Sequence, residues 1–82
     1  MIRDHQTVLA AATELLRGAT RQPGLVLRPD MALADVPDLD SLRLLETIAL
    51  LEIRFAVEID TTRLETLATV EDILQAILLA EP

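Results

Sequence analysis

Apolar residues recur at helical spacing in three stretches of this chain. Val8, Ala11, Ala12, Leu15 and Leu16 form the first, which predicts a helix from about Asp4 to Arg17 with Gly18 as its stop signal. The second runs from Ser41 to about Phe55 behind an N-cap at Asp40. The third carries Val70, Ile73, Leu74, Ile77 and Leu78 on one face, with Thr69 as its cap and Asp72 three residues on, an acidic variant of a capping box. Asp60 to Thr66 reads as one short helix, in part 3₁₀. Residues 18–39 hold both glycines and three of the four prolines, so they form a long connection. Leu25, Val26, Leu27, Met31 and Leu33 are too apolar for a free linker and are expected to pin it across the bundle. The pattern predicts an all-α fold: a small four-helix bundle with a long loop between its first and second helices and a short third helix. Residues 1–82 read as one domain.

The second helix has two apolar sides. Leu44, Ile48, Leu51 and Phe55 share the side expected to face the core. Leu42, Ala49 and Ile53 lie nearly opposite, with Leu45 at the border. A helix of that kind is either buried all round or docks something outside. In 82 residues burial all round is hard to arrange, which favours docking.

Composition narrows the function. Apolar residues make up 51% of the chain, enough for a core, and Phe55 is the one aromatic, which argues against stacking on bases or sugars. The absence of cysteine removes disulfides and thiolate metal sites and fits a reducing cytosol. No apolar run approaches the ~20 residues of a membrane span, and the N-terminus does not read as a secretory signal. The chain therefore reads as a free-standing cytoplasmic protein, expected to be a monomer. Its formal charge of −7 is uneven: residues 1–29 carry four arginines and two acids, residues 30–82 three arginines and twelve acids. That argues against nucleic acid as a partner and favours basic protein surfaces; the alternative is an acidic surface kept only for solubility.

Asp40-Ser41-Leu42 is where the chemistry concentrates. A serine on the first turn of a helix, behind an acidic cap, suits attachment of a phosphate-linked group, because unpaired N–H groups and the positive end of the helix dipole stabilise a phosphodiester there. Alone, Ser41 would read as an ordinary helix-start serine. A catalytic nucleophile needs a base, yet the only histidine is His5, read as a solvated helix-start residue, and there is no Gly-x-Ser-x-Gly elbow. Asp30, Asp35, Asp38 and Asp40 crowd one loop, but Leu42 breaks the alternation that a calcium loop needs, so no metal site is expected.

The residues around Ser41 extend the motif. Asp38-Leu39-Asp40-Ser41-Leu42 leads into Leu45, Glu46, Ile48, Leu51-Glu52 and Phe55, then Val57-Glu58-Ile59, then Leu67-Ala68-Thr69-Val70 before Asp72-Ile73. This resembles the acyl carrier protein family. The resemblance implies a non-enzymatic carrier whose motif serine, Ser41, receives 4′-phosphopantetheine from coenzyme A through a phosphopantetheinyl transferase. The arm then carries acyl groups as thioesters between fatty-acid or polyketide biosynthetic enzymes, and it supplies the chemistry. It also implies that Asp40, Leu42, Glu46, Ala49 and Glu52 meet acyl-loading and acyl-processing enzymes through basic docking surfaces. Ile53, on the same outward side of the helix, joins them. Ile48, Leu51, Phe55, Ile59, Leu64 and Leu67 converge near the short third helix and are the expected acyl pocket. Within the same family, an aminoacyl or peptidyl carrier is the alternative; outside it, an unmodified helical adaptor. Asp38 stands where the family usually has glycine, and Arg43 and Ile53 where fatty-acid carriers commonly have acids; there is no lysine. These departures point to a specialised carrier rather than the housekeeping one.

Overall fold

The computed structural model describes residues 3–81, with the side chains of residues 61–63 outside that description. Its elements are α1 (His5–Thr20), α2 (Ser41–Phe55) and α3 (Val70–Leu78), with 3₁₀ turns at Leu33–Asp35 and Thr61–Thr66. The described residues thus form three α-helices rather than four, because the expected third helix is 3₁₀ throughout. No described helix is long and apolar enough to cross a membrane.

Each α-helix starts on a side-chain cap. Asp4 accepts from the Thr7 N–H, Asp40 from that of Arg43, and Thr69 from that of Asp72, which closes a full capping box in α3. Helix α1 ends three residues later than the sequence pattern suggests. Gly18 stays helical, at a cost of about 1 kcal/mol against alanine. The extra turn buries Thr20, whose hydroxyl donates to Leu16 O at 2.7 Å. Arg21 then takes the left-handed conformation that stops the helix, and the Gln22 N–H closes back on Arg17 O at 3.0 Å. Ala56 does the same after α2, with the Val57 N–H on Glu52 O at 3.0 Å.

The core is aliphatic apart from Phe55. Val8, Ala12 and Leu16 of α1 meet Leu51 and Phe55 of α2 and Ile73, Leu74 and Ile77 of α3. The long connection is pinned as its composition suggests: Leu25, Leu27 and Leu33 are buried and Met31 half-buried. Val26 is the exception, 69% exposed. Backbone bonds hold the connection to the start of α3. Leu33 N–H donates to Ala68 O, while the Val70 and Glu71 N–H groups, which no helical carbonyl could reach, donate to Met31 O and Pro29 O at 2.9 and 2.8 Å. His5 is tied in the same way: its Nε2 lies 2.8 Å from Glu71 Oε1, joining the starts of α1 and α3, so it is not simply solvated. Sequence pattern identifies a helix-start residue but not the partner that a distant helix brings to it.

Candidate functional site

Ser41 is the first residue of α2 and is exposed. Asp40 positions it from behind. One carboxylate oxygen of Asp40 accepts the Arg43 N–H at 2.8 Å and the other lies 2.5 Å from Arg43 Nη1. The Arg43 N–H, followed by the guanidinium charge, holds the Asp40 carboxyl below the usual carboxylate range, so the cap stays ionised. Arg43 Nε also donates to Ala19 O at 3.2 Å, which ties the start of α2 to the end of α1. On the other side, Asp38 has φ 62° and its carboxylate accepts from Gln22 Nε2 at 3.1 Å. A polar cavity of about 650 Å³ opens beside the cap, lined by Thr20, Arg21, Gln22, Asp38, Asp40 and Arg43 among others.

Along α2 the outward side is apolar with an acid beside it. Leu42 is 64% and Ile53 77% exposed, and Glu46 and Ala49 are exposed between them. The exposed apolar surface is broader than the helical wheel indicates. Leu45 and Leu50, on either flank, are 40% and 48% exposed. Leu50 follows Ala49 in a hydrophobic run, so sequence alone does not separate it from the core. Glu52 differs from the rest of the expected docking set. It is half-buried and its carboxylate accepts the Ile59 N–H at 2.8 Å, so it closes the turn after α2 rather than standing free. Thr47, absent from any sequence-based assignment, is fully buried and returns its hydroxyl to Arg43 O at 2.8 Å.

The six residues expected around an acyl chain divide into two groups. Ile48, Leu51 and Phe55 are buried in the interior. Ile59, Leu64 and Leu67 instead line a cavity of about 350 Å³ together with Ala76 and Leu79, next to α3. The clustered acids of the long connection do not assemble: among the described residues no three His, Cys, Asp or Glu side chains are placed to hold a metal ion. Asp30 instead lies 3.5 Å from Arg28.

A phosphodiester-linked arm needs an unobstructed hydroxyl, a neighbourhood able to tolerate negative charge, and open space. Exposed Ser41 at a helix start, with Arg43 and Arg21 lining the adjacent cavity, fits those needs. The family described as phosphopantetheine attachment site matches residues 10–77. No curated protein and no solved structure matches the chain. The family match runs from α1 to the last turn of α3, and on that match the chain belongs to the phosphopantetheine attachment-site family, whose domains bear covalent 4′-phosphopantetheine and serve as carriers rather than catalysts.

Proposed function

We propose that the chain is an acyl carrier of a specialised pathway, with its arm on Ser41 and its partners docking on the outward side of α2. The observation that supports this best is the exposed Ser41 at the head of α2, inside Asp40-Ser41-Leu42 and fixed by the Asp40 cap. The arm supplies the thiol that holds cargo; the chain's own residues hold the attachment point and present it to a partner. Asp40, Leu42, Glu46, Ala49 and Ile53 form the proposed docking face for basic enzyme surfaces, with phosphopantetheinyl transferase the first to engage it. Specialisation is supported by Arg43 and Ile53, a cation and an apolar residue on a helix where fatty-acid carriers commonly carry acids, and by the broad apolar surface around Leu45 and Leu50. A cytoplasmic setting, where coenzyme A and the transferase are found, belongs to the same reading.

Intact-mass measurement after incubation with coenzyme A and a promiscuous transferase tests it. Wild type should gain one phosphopantetheine and Ser41→Ala none, with the same thermal midpoint, since Ser41 is exposed and Asp40 supplies the cap. A modified Ser41→Ala overturns the assignment of the arm to Ser41; an unmodified wild type under a competent transferase overturns the carrier reading and leaves an adaptor function for the exposed apolar side of α2.

A further inference from the structure

Two cavities flank the C-terminal end of α1, and Arg21 lines both. The polar one flanks the cap of Ser41. The other, of about 750 Å³, runs along α1 from Gln6 to Arg21, with Pro23, Val26 and Leu27 as its far wall. Its size falls within the range of about 300–1,000 Å³ usual for small-molecule sites. Leu9, Ala10, Val26 and Leu27 make its surface apolar. Glu14, the acid that lines it, is engaged by Arg54 Nη1 at 2.6 Å. Arg17 is held to Leu25 O through Nε at 2.7 Å, and Arg21 forms no ion pair among the described residues.

From the cap of Ser41 outward, then, the lining passes from charged and polar, with Arg21 and Arg43 beside Asp38 and Asp40, to mainly apolar. A 4′-phosphopantetheine arm has the same order: an anionic phosphodiester at the serine, two amides, and an apolar cargo at the far end. The cavity at Ile59, Leu64 and Leu67 shares no lining residue with the one beside Ser41, and Glu58 and Asp60 line it. We propose that an apolar acyl chain on this carrier rests in the α1 groove, against Leu9, Ala10, Val26 and Leu27, with the arm passing Arg21. This rests on attachment at Ser41. It also accounts for Val26, which stands 69% exposed between buried Leu25 and Leu27 and would be covered by the cargo.

The experiment compares protein loaded from octanoyl-coenzyme A with protein loaded from acetyl-coenzyme A, each verified by intact mass. Amide NMR shifts between the two should be largest at Leu9, Ala10, Val26 and Leu27, independent of protein concentration. Hydroxylamine should cleave the octanoyl thioester several-fold more slowly than the acetyl one. Val26→Asp, at a position exposed enough to leave the fold intact, should abolish both differences, and Val26→Leu should keep them. Shifts confined to Ile59, Leu67 and Ala76, or to the residues beside Ser41, overturn the inference alone. Shifts that vanish on dilution overturn it too, because the groove then holds the cargo of a second copy. Absence of any mass gain overturns the attachment at Ser41 and this inference with it.

Discussion

Asp38 has φ 62° and Ala56 φ 55°, both in the region that costs an ordinary L-residue about 1–2 kcal/mol. Asp38 occupies the position where carriers of this kind usually have glycine, and the backbone there gives the reason: the turn before the motif needs a left-handed residue. Aspartate is among the few side chains that tolerate it, so the substitution keeps the turn and adds the bond from Gln22. The sequence marks Asp38 as a departure but not as a backbone requirement, because a φ value leaves no periodic trace. Ala56 carries no such compensation: it is exposed, and its side chain has no polar group to offer. Ala56→Gly should therefore stabilise the protein by about 0.5–1 kcal/mol, after allowing for the greater freedom glycine gives the unfolded chain. For a domain of this size that is a rise in thermal midpoint of roughly 2–8 °C. A lower midpoint would show that the left-handed cap is not costly here.

Helix α2 is the element in which sequence and structure agree best, since both of its boundaries have local causes. Asp40 caps one end, and the apolar period ends with Phe55 at the other. Helix α1 was less legible. Gly18 looks like a stop, yet its cost is small beside the burial of Leu16 and Thr20, and the true stop falls on an arginine that no composition rule would select. The segment after α2 was legible as a short helical element but not in its hydrogen-bond type, which tertiary contacts decide. Likewise, wheel geometry separates the two sides of α2 but cannot show that Glu52 turns back onto Ile59 N–H. This matters for the docking proposal, because it leaves Glu46 as the exposed acid beside Leu42, Ala49 and Ile53. Ile53→Glu should weaken a cognate partner with no loss of helicity, since Ile53 is 77% exposed and the core side is untouched. The apolar stripe supplies binding through burial at about 25 cal/mol per Å² before association costs. Glu46→Lys should act differently, slowing association more at low salt than at high salt, where the long-range field is already screened. Binding kinetics of both variants at two ionic strengths separate the effects. If Ile53→Glu unfolds the protein, or if Glu46→Lys slows association equally at both salts, the stripe is not the docking face.

Across the whole molecule, the −7 charge makes stability depend on where the carboxylates sit. Asp4, Asp40, Glu71 and Asp72 all have pKa values lowered by folding. In Asp4, Asp40 and Asp72 the main cause is hydrogen bonding from backbone N–H groups at helix starts; in Glu71 it is Gln75, then His5. The folded protein therefore binds fewer protons than the unfolded chain in the carboxylate range. Their contribution to stability is fully present above the ordinary values of 3.8 for Asp and 4.5 for Glu, and is lost as pH falls through the lower folded values. Relief of charge repulsion acts in the opposite direction on mild acidification, so the pH profile of wild type alone cannot isolate the caps. A comparison with Asp72→Asn does so, because the two proteins differ by one charge. Asp72 accepts the Ala68 and Thr69 N–H groups at 2.7 and 2.9 Å, at the point where the long connection joins α3. Near pH 7 wild type should unfold at higher urea than Asp72→Asn. Lowering the pH from about 5 to about 2 should close that gap, since wild-type Asp72 becomes a neutral acid while the asparagine does not titrate. A gap that stays constant over that range would mean that Asp72 acts through shape and hydrogen-bond geometry alone. A gap that closes would show that the carboxylate charge at the start of α3 helps to hold the join between the connection and α3, and hence the wall carrying Val26 and Leu27, against α1.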